Sequence, residues 1–451
     1  MQKAGELGDE LVVAAHQRAL AISLMHGARR RLQATLSAHC PRLPVTVSTI
    51  HSFALGLVNR WRRSLNIGFP VTVCVETCGL AERYLRTQAT FDEVMQLACR
   101  LLESDSVGRT ISETYPLVIV DEFQDCTGHT LQFVRALGRA SRLLLAADDF
   151  QMLNETQTGC PAVAWAQSLR SRGEIEYEEL AGSRRTHNSG ILRAAGAVRG
   201  NTRATALTVP VYYAPNVGPA ACRIVGRFTP WAGNITAGTC ALITLSIGDP
   251  LLPKLLRSFQ SQLAKKNPRL NIQWTMPLPE AEHKKNLCAE LGIGPVGSDA
   301  IWNLAQSASS SQADAVKRDI ERFSRLRGID PIPQELAAEF ATLAVHNCRA
   351  FSWLSPRFQV LTVHGAKNRE FDHVFVFWTY KAENWSVEDQ RRLLYNAVTR
   401  AKHSCTVVAL GDTSRISEDP VLSLLGPAAP AIDPSWKKPK KAARVKGRSI
   451  P

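Results

Sequence analysis

No apolar run in this 451-residue chain approaches the roughly 18–20 residues that a membrane span needs. The N-terminus, MQKAGELGDELVVAAHQ, places acids ahead of a short apolar stretch and has no small-residue cleavage pattern, so it does not read as a secretory signal. Zinc-like spacing is lacking as well. The eleven cysteines are scattered, and Cys74 with Cys78 is the one close pair, without a second Cys/His pair to complete a site. These absences argue against a membrane protein, a disulfide scaffold and a zinc module, and they leave a reduced, cytoplasmic protein as the expectation.

What is present is a globular composition, 45% hydrophobic and 21% charged. The length allows two or three domains, each with its own core. Lysine and arginine number 54 against 40 acids, a net charge of +14. Such an excess favours a polyanionic partner without choosing between nucleic acid and an anionic surface.

Short apolar runs bounded by polar residues recur along the chain. Residues 11–15 read as a strand followed by a helix over 18–36, interrupted by the basic Arg29–Arg31. Residues 115–120 (YPLVIV) and 142–147 (RLLLAA) read as buried parallel strands, each ending in acids, with a helix over 130–137 between them. Residues 221–228, 239–245, 358–363, 373–378 and 404–410 read as further strands. Between 248 and 355 the pattern turns helical and basic, over 251–267, 298–323 and 334–346. The expectation is an α/β protein of two parallel-sheet domains, 1–187 and 188–426, the second with a helical insertion at about 248–355. Residues 427–451, rich in Pro, Ala, Lys and Arg, read as a disordered basic tail.

Ligands of such sheets gather at the strand C-termini. Asp121 and Glu122 stand at one such end, where a carboxylate can hold Mg²⁺ through its water shell and a neighbour can direct a water at a phosphate. Taken alone, an apolar run followed by Asp-Glu is also a common solvated turn. The surrounding sequence is more specific: residues 120–127 are VDEFQDCT, and a second strand ends in ADDFQ at 147–151.

In this order and spacing the two boxes resemble those of superfamily 1 helicases of the UvrD/Rep/PcrA type. Four further segments are similar to motifs of that family: VSTIHSF at 47–53, LAGSRRT at 180–186, LTVHGAKNREFDHVF at 361–375 and RRLLYNAVTRAK at 391–402. The resemblance implies two RecA-like domains, ATP and Mg²⁺ as cofactors, and 3′ to 5′ movement on single-stranded DNA. It also implies site residues. Asp121 would hold Mg²⁺, Glu122 would direct the attacking water and Gln151 would sense the γ-phosphate. Arg185 and Arg400 would clamp transferring charge, Arg184 would cover the adenine, and Glu370 would face the ribose or the metal. Thr49, His51, Thr362 and His364 would contact the DNA strand. A nuclease or a repair or defence protein is the kind of protein partner implied.

The largest departure from that pattern is that no G-x-x-x-x-G-K-[ST] occurs anywhere in the chain. Three explanations stay open: a copy shortened at its N-terminus, a nucleotide-blind homologue serving as a nucleic-acid-binding or scaffold protein, or a split enzyme completed by another chain. The shortened copy is the expectation, with a first domain incomplete at its N-terminal side. Smaller departures are Asn154 in place of a base-stacking aromatic, Arg184 in place of a tyrosine, and Asn368 in place of a glycine, a residue that tolerates positive φ.

Overall fold

The computed structural model describes residues 2–24, 26–73, 88–153, 159–180, 185–206, 208–229, 235, 237–276, 280–294, 301–302, 310–351, 356–379, 385–411 and 419–427. The chain divides into two compact units, Met1–Ser183 with Trp274–Glu370, and Arg184–Gln273 with Phe371–Pro451. In chain order the described strands are β1 (Ala19–Ser23), β2 (Val45–Thr49), β3 (Thr72–Val73), β4 (Gln88–Ala89), β5 (Leu117–Asp121), β6 (Arg142–Leu145), β7 (Val211–Ala214), β8 (Cys240–Thr244), β9 (Phe358–Thr362), β10 (Phe371–Trp378) and β11 (Ala401–Leu410).

The first unit is built on a parallel sheet ordered β2-β1-β5-β6. Alternate residues of the central strands enter two separate cores. Leu20, Ile22, Val118 and Val120 pack with the helices Ile50–Trp61, Phe91–Leu102 and Gly128–Ala140. Ala19, Ala21, Leu117 and Ile119 face the other way, onto Ala4, Leu32 and Leu36 of the helices Gln2–Leu11 and His26–His39. A strand covered on both faces has no polar side to show, which is why these segments read as continuous apolar runs. The edge strand β6 is less covered: Arg142 is exposed and Leu143, Leu144 and Leu145 are half-buried.

The helices Glu280–Glu290, Ser311–Arg327 and Gln334–Phe351 form a third core, with Leu287, Trp302, Val316, Ile320, Leu336 and Val345 inside it. They are grouped with the first unit, as is β9. The expected helical insertion therefore falls on both units, since its first helix, Leu251–Lys266, packs against Val217–Gly226 in the second.

The second unit carries parallel strands in the order β7-β11-β10-β8, with β8 wholly buried and β10 and β11 buried over most of their length. At the start of β8, Thr239 donates through its backbone N–H and its hydroxyl to Asp372 Oδ2, at 2.7 and 3.0 Å, and so locks the register of β8 on β10. These bonds hold the Asp372 carboxyl below its usual range. Gly238, at φ +84°, leaves room for the contact, because a Cβ there would meet Asp372 Oδ2 at 2.7 Å.

The α/β class with two parallel sheets agrees with the sequence reading, but two local expectations are corrected. Residues 11–15 are not a strand. Helix Gln2–Leu11 ends there and the strand is β1, eight residues further on, followed by the helix His26–His39. The apolar run LVVAA competes with ALAIS for the strand reading, whereas Ala4, Leu7, Gly8 and Leu11 repeat at helical spacing and bury one face. Residues 221–226 are also helical, as the end of helix Val217–Gly226, and 227–228 form the turn after it. Asn216 caps that helix by accepting from the Gly218 N–H, and Ala220, Ala221, Ile224 and Val225 form its buried stripe. The strand β7 was not expected. Among the described residues no helix is long and apolar enough to cross a membrane.

Candidate functional site

Strands β1, β2 and β5 end level with one another, so Ser23 lies in register with Thr49 on one side and Asp121 on the other. A hydroxyl, a second hydroxyl and a carboxylate thus line up at the C-terminal edge of the first sheet. Ser23 is fully buried, and its Oγ has no hydrogen-bond partner among the described residues.

The carboxylates are wired by side chains from three other segments. Glu122 follows β5 in the left-handed region, at φ 56° and ψ 41°, a conformation that costs a non-glycine residue about 1–2 kcal/mol. That backbone turn lets Glu122 Oε1 accept from Arg31 Nη2 at 3.0 Å and Oε2 accept from Gln124 Nε2 at 2.7 Å. Arg31 Nη2 also stands 3.6 Å from Asp121 Oδ2. Gln124 is fully buried, and its Oε1 accepts from the Asp148 N–H at 3.0 Å, which ties the end of β5 to the loop after β6. Asp148 in turn accepts from Phe150 N and, at 2.8 Å, from Gln151 Nε2. Burial and the neighbouring Glu122 raise the Asp121 carboxyl above its usual range, against the opposing pull of Arg31.

Two buried ions join this corner from further along the chain. Lys367 Nζ lies 2.6 Å from Asp125 Oδ1, with both side chains mostly shielded from solvent. The next residue, Asn368, has φ 62°, the positive value that its substitution for glycine leads one to expect. Glu370 is half-buried at the end of the same segment.

The four residues expected at a DNA strand also belong to the first unit. Thr49 is 2% exposed and caps helix Ile50–Trp61, accepting from the Ser52 N–H and donating to Ser52 Oγ at 2.7 Å. Its hydroxyl is committed to the cap, so Thr49 orients Ser52 and His51 rather than offering a free donor. His51 meets the half-exposed ring of Phe91 edge-on at 5.1 Å, and burial holds its imidazole below the usual value. Thr362 repeats the cap, accepting from the Gly365 N–H, while His364 is exposed with Nε2 3.2 Å from the Leu153 carbonyl oxygen.

In the second unit the expected cations hold on to backbone. Arg185 Nη1 donates to the Thr399 carbonyl at 3.1 Å. Arg400 is fully buried, and its Nε donates to the Asn396 carbonyl at 2.9 Å. Arg391 donates to the carbonyls of Val198 and Arg199 and thereby satisfies the C-terminus of helix Ser189–Arg199. A cavity of about 300 Å³ is lined by Arg185, Thr186, His187, Asn188, Lys402 and His403. Arg184 and Asn154 lie outside the described residues.

The sheet edge of the first unit thus brings Glu122 and Gln151 into one hydrogen-bonded network, with Asp121 joined to it by its ion pair to Arg31, and Arg185 and Arg400 belong to the second unit. Three members of the corner were not assigned roles in the sequence reading. Ser23 sits at the end of a strand that was misplaced, Gln124 lies inside the quoted box as a buried polar residue, and Arg31 was read as an interruption of a helix. For a divalent ion, the chemistry at Asp121 fits in part: a carboxylate and a buried hydroxyl without a partner suit a hard cation that keeps most of its water. Among the described residues no group of three or more His, Cys, Asp or Glu side chains is placed to hold a metal ion.

Residues 77–155 match the UvrD/REP helicase N-terminal domain family, and residues 358–408 match the UvrD-like helicase C-terminal domain family. The first match spans Asp121 through Gln151, and the second spans Thr362, His364, Glu370 and Arg400. No curated protein matches the chain. A solved structure described as the C-terminal domain of a possible DNA helicase from Lactobacillus plantarum WCFS1 is 17% identical, with 51% of this chain and 89% of that chain covered at a TM-score of 0.26. That likeness is too low to carry an argument. The two family matches fall in order along one chain and on the segments that form the strand-end corner, and they make this chain similar, over those segments, to UvrD-like DNA helicases.

Proposed function

We propose that this chain is the body of an ATP-dependent, 3′ to 5′ translocase or helicase of the UvrD type acting on single-stranded DNA, and that hydrolysis needs a phosphate-binding segment which these 451 residues do not contain. The observation that carries the reading is the continuous network Glu122–Gln124–Asp148–Gln151 at the ends of β5 and β6. It holds the water-directing and phosphate-sensing groups in one frame, as transfer of a phosphoryl group to water requires.

In this reading Asp121, with the Ser23 hydroxyl beside it, would hold Mg²⁺. The ion, when bound, would neutralise charge on the phosphates. Glu122 orients the water and accepts its proton, and the left-handed turn aims its carboxylate. Gln151, steadied by Asp148, positions that water. Arg185, Arg400 and Glu370 take the nucleotide-facing roles that the resemblance implies. His51 and His364 offer imidazole contacts to a DNA backbone without reading bases, and Thr49 and Thr362 fix the helix turns that carry them.

A second reading has its own support. The chain lacks G-x-x-x-x-G-K-[ST], and an arginine already faces both carboxylates, which suits a nucleic-acid-binding or scaffold protein without turnover. ATP hydrolysis by the purified chain, with and without single-stranded DNA, separates the two. Turnover that appears only when a P-loop segment is supplied supports the proposal, and DNA-stimulated turnover by this chain alone overturns its requirement for that segment. DNA binding without turnover supports the second reading unless an added P-loop segment restores hydrolysis. Absence of both defeats both. Streptavidin displacement from 3′- against 5′-biotinylated strands tests the direction.

A further inference from the structure

Arg31 projects from the second turn of helix His26–His39 into the gap between two acidic side chains. Its side chain is 31% exposed, and those of Asp121 and Glu122 are 23% and 10% exposed. Two adjacent carboxylates at a strand end, in a partly dehydrated setting, repel each other and need a cation. Arg31 supplies one charge against two. Its Nη1 is buried and has no hydrogen-bond partner among the described residues, so the seat satisfies one edge of the guanidinium and leaves the other dry.

We propose that Arg31 is a built-in counter-ion occupying the place that a divalent cation must take at Asp121, so that metal entry requires the guanidinium to withdraw. This rests on the reading of Asp121 and Glu122 as the metal-holding and water-directing pair. A fixed positive charge 3.6 Å from the ligand oxygen of Asp121 opposes a second cation on that oxygen. The neighbouring Ser23 hydroxyl, buried and unpartnered among the described residues, is the group left waiting when the arginine holds the seat. Arg29, on the same helix, is exposed and has no part in the arrangement.

The test is Mn²⁺ binding to the full chain without nucleotide, followed by the electron paramagnetic resonance signal of the free ion. Arg31→Gln is expected to bind Mn²⁺ about tenfold more tightly than the unaltered chain, because the repelling charge is gone, while Arg31→Lys and Arg29→Gln stay within about twofold of it. The gain should vanish in Arg31→Gln with Asp121→Asn. Equal affinities for Arg31→Gln and the unaltered chain would overturn the proposal and leave the metal reading standing. A gain that survives Asp121→Asn would also overturn it, since the ion would then sit elsewhere. No binding at millimolar Mn²⁺ by either protein would overturn the proposal together with the metal reading. For a weakly folded Arg31→Gln, the rise in unfolding temperature on adding Mn²⁺ serves instead: a rise larger than that of the unaltered chain supports the counter-ion, and an equal rise overturns it.

Discussion

At the strand ends of the first unit, charged groups are paired with other side chains: Arg31 with Glu122 and Asp121, Lys367 with Asp125, Gln151 with Asp148. In the second unit the guanidinium groups donate chiefly to main-chain carbonyls, Arg400 to Asn396, Arg391 to Val198 and Arg199, Arg185 to Thr399, with Arg391 also paired to Glu388 and Arg400 also donating to the Thr399 hydroxyl. A main-chain carbonyl does not titrate and cannot rotate away, so the second arrangement fixes arginines as a property of the backbone. Carboxylates exchange partners when a cation or a proton arrives. The first corner is therefore the one a ligand can rewire, and the second is the one that supplies rigid positive charge.

The sharpest way to break this contrast is at Lys367. Lys367→Met strands a largely buried Asp125 carboxylate and should cost about 3–5 kcal/mol in urea unfolding. Adding Asp125→Asn should recover part of that loss, and full additivity of the two changes would show that the pair is not coupled. Arg391→Met removes charged donors from the buried Val198 carbonyl and the part-buried Arg199 carbonyl and should cost about 2–3 kcal/mol by the same measurement. Glu388, the half-exposed carboxylate that also pairs with Arg391, is the one side-chain acceptor described, so adding Glu388→Gln should recover little of the loss, because the carbonyls of Val198 and Arg199 stay without their donor.

A smaller effect is expected at Asn368. Alanine at φ 62° should destabilise by about 1 kcal/mol in thermal unfolding, whereas glycine should be neutral or slightly stabilising. The smallest concerns His51. Burial disfavours its imidazolium, so the unfolded chain binds that proton first as pH falls through about 6.5. Stability should therefore drop on acidification through that range and level off below the lower folded-state value. His51→Gln should flatten that part of the curve, and an unchanged curve would mean that His51 is not the group responsible.

Several parts of this organisation were legible without coordinates. The run at 115–120 supplies β5, covered on both faces, the run at 142–147 supplies the half-buried edge strand β6, and Asp121 ends β5 because a carboxylate cannot stay in that core. Asn368 could be read as a left-handed position because it stands where the resembled family has a glycine and asparagine tolerates positive φ. Other parts were not legible. Residues 11–15 and 19–23 are equally apolar, and only packing of Ala4 and Gly8 against the sheet makes the former the end of a helix. Arg31 looked like one of three basic residues on a helix face, since a charge pairing across 91 positions leaves no local periodicity to detect.

Sequence by itself determined the α/β class, the motif order along the chain, the excess of positive charge and the lack of a phosphate-binding lysine loop. These are matters of residue type and short spacing, which local propensity and hydrophobic patterning express directly. Tertiary structure alone decided which charges meet. It set Arg31 on Glu122, Lys367 on Asp125 and Gln124 between two strand ends, because such contacts depend on the register of parallel strands and on helices that return from far along the chain. The same folding buried Arg400 against the end of the preceding helix and left Arg31 on the carboxylates of Asp121 and Glu122.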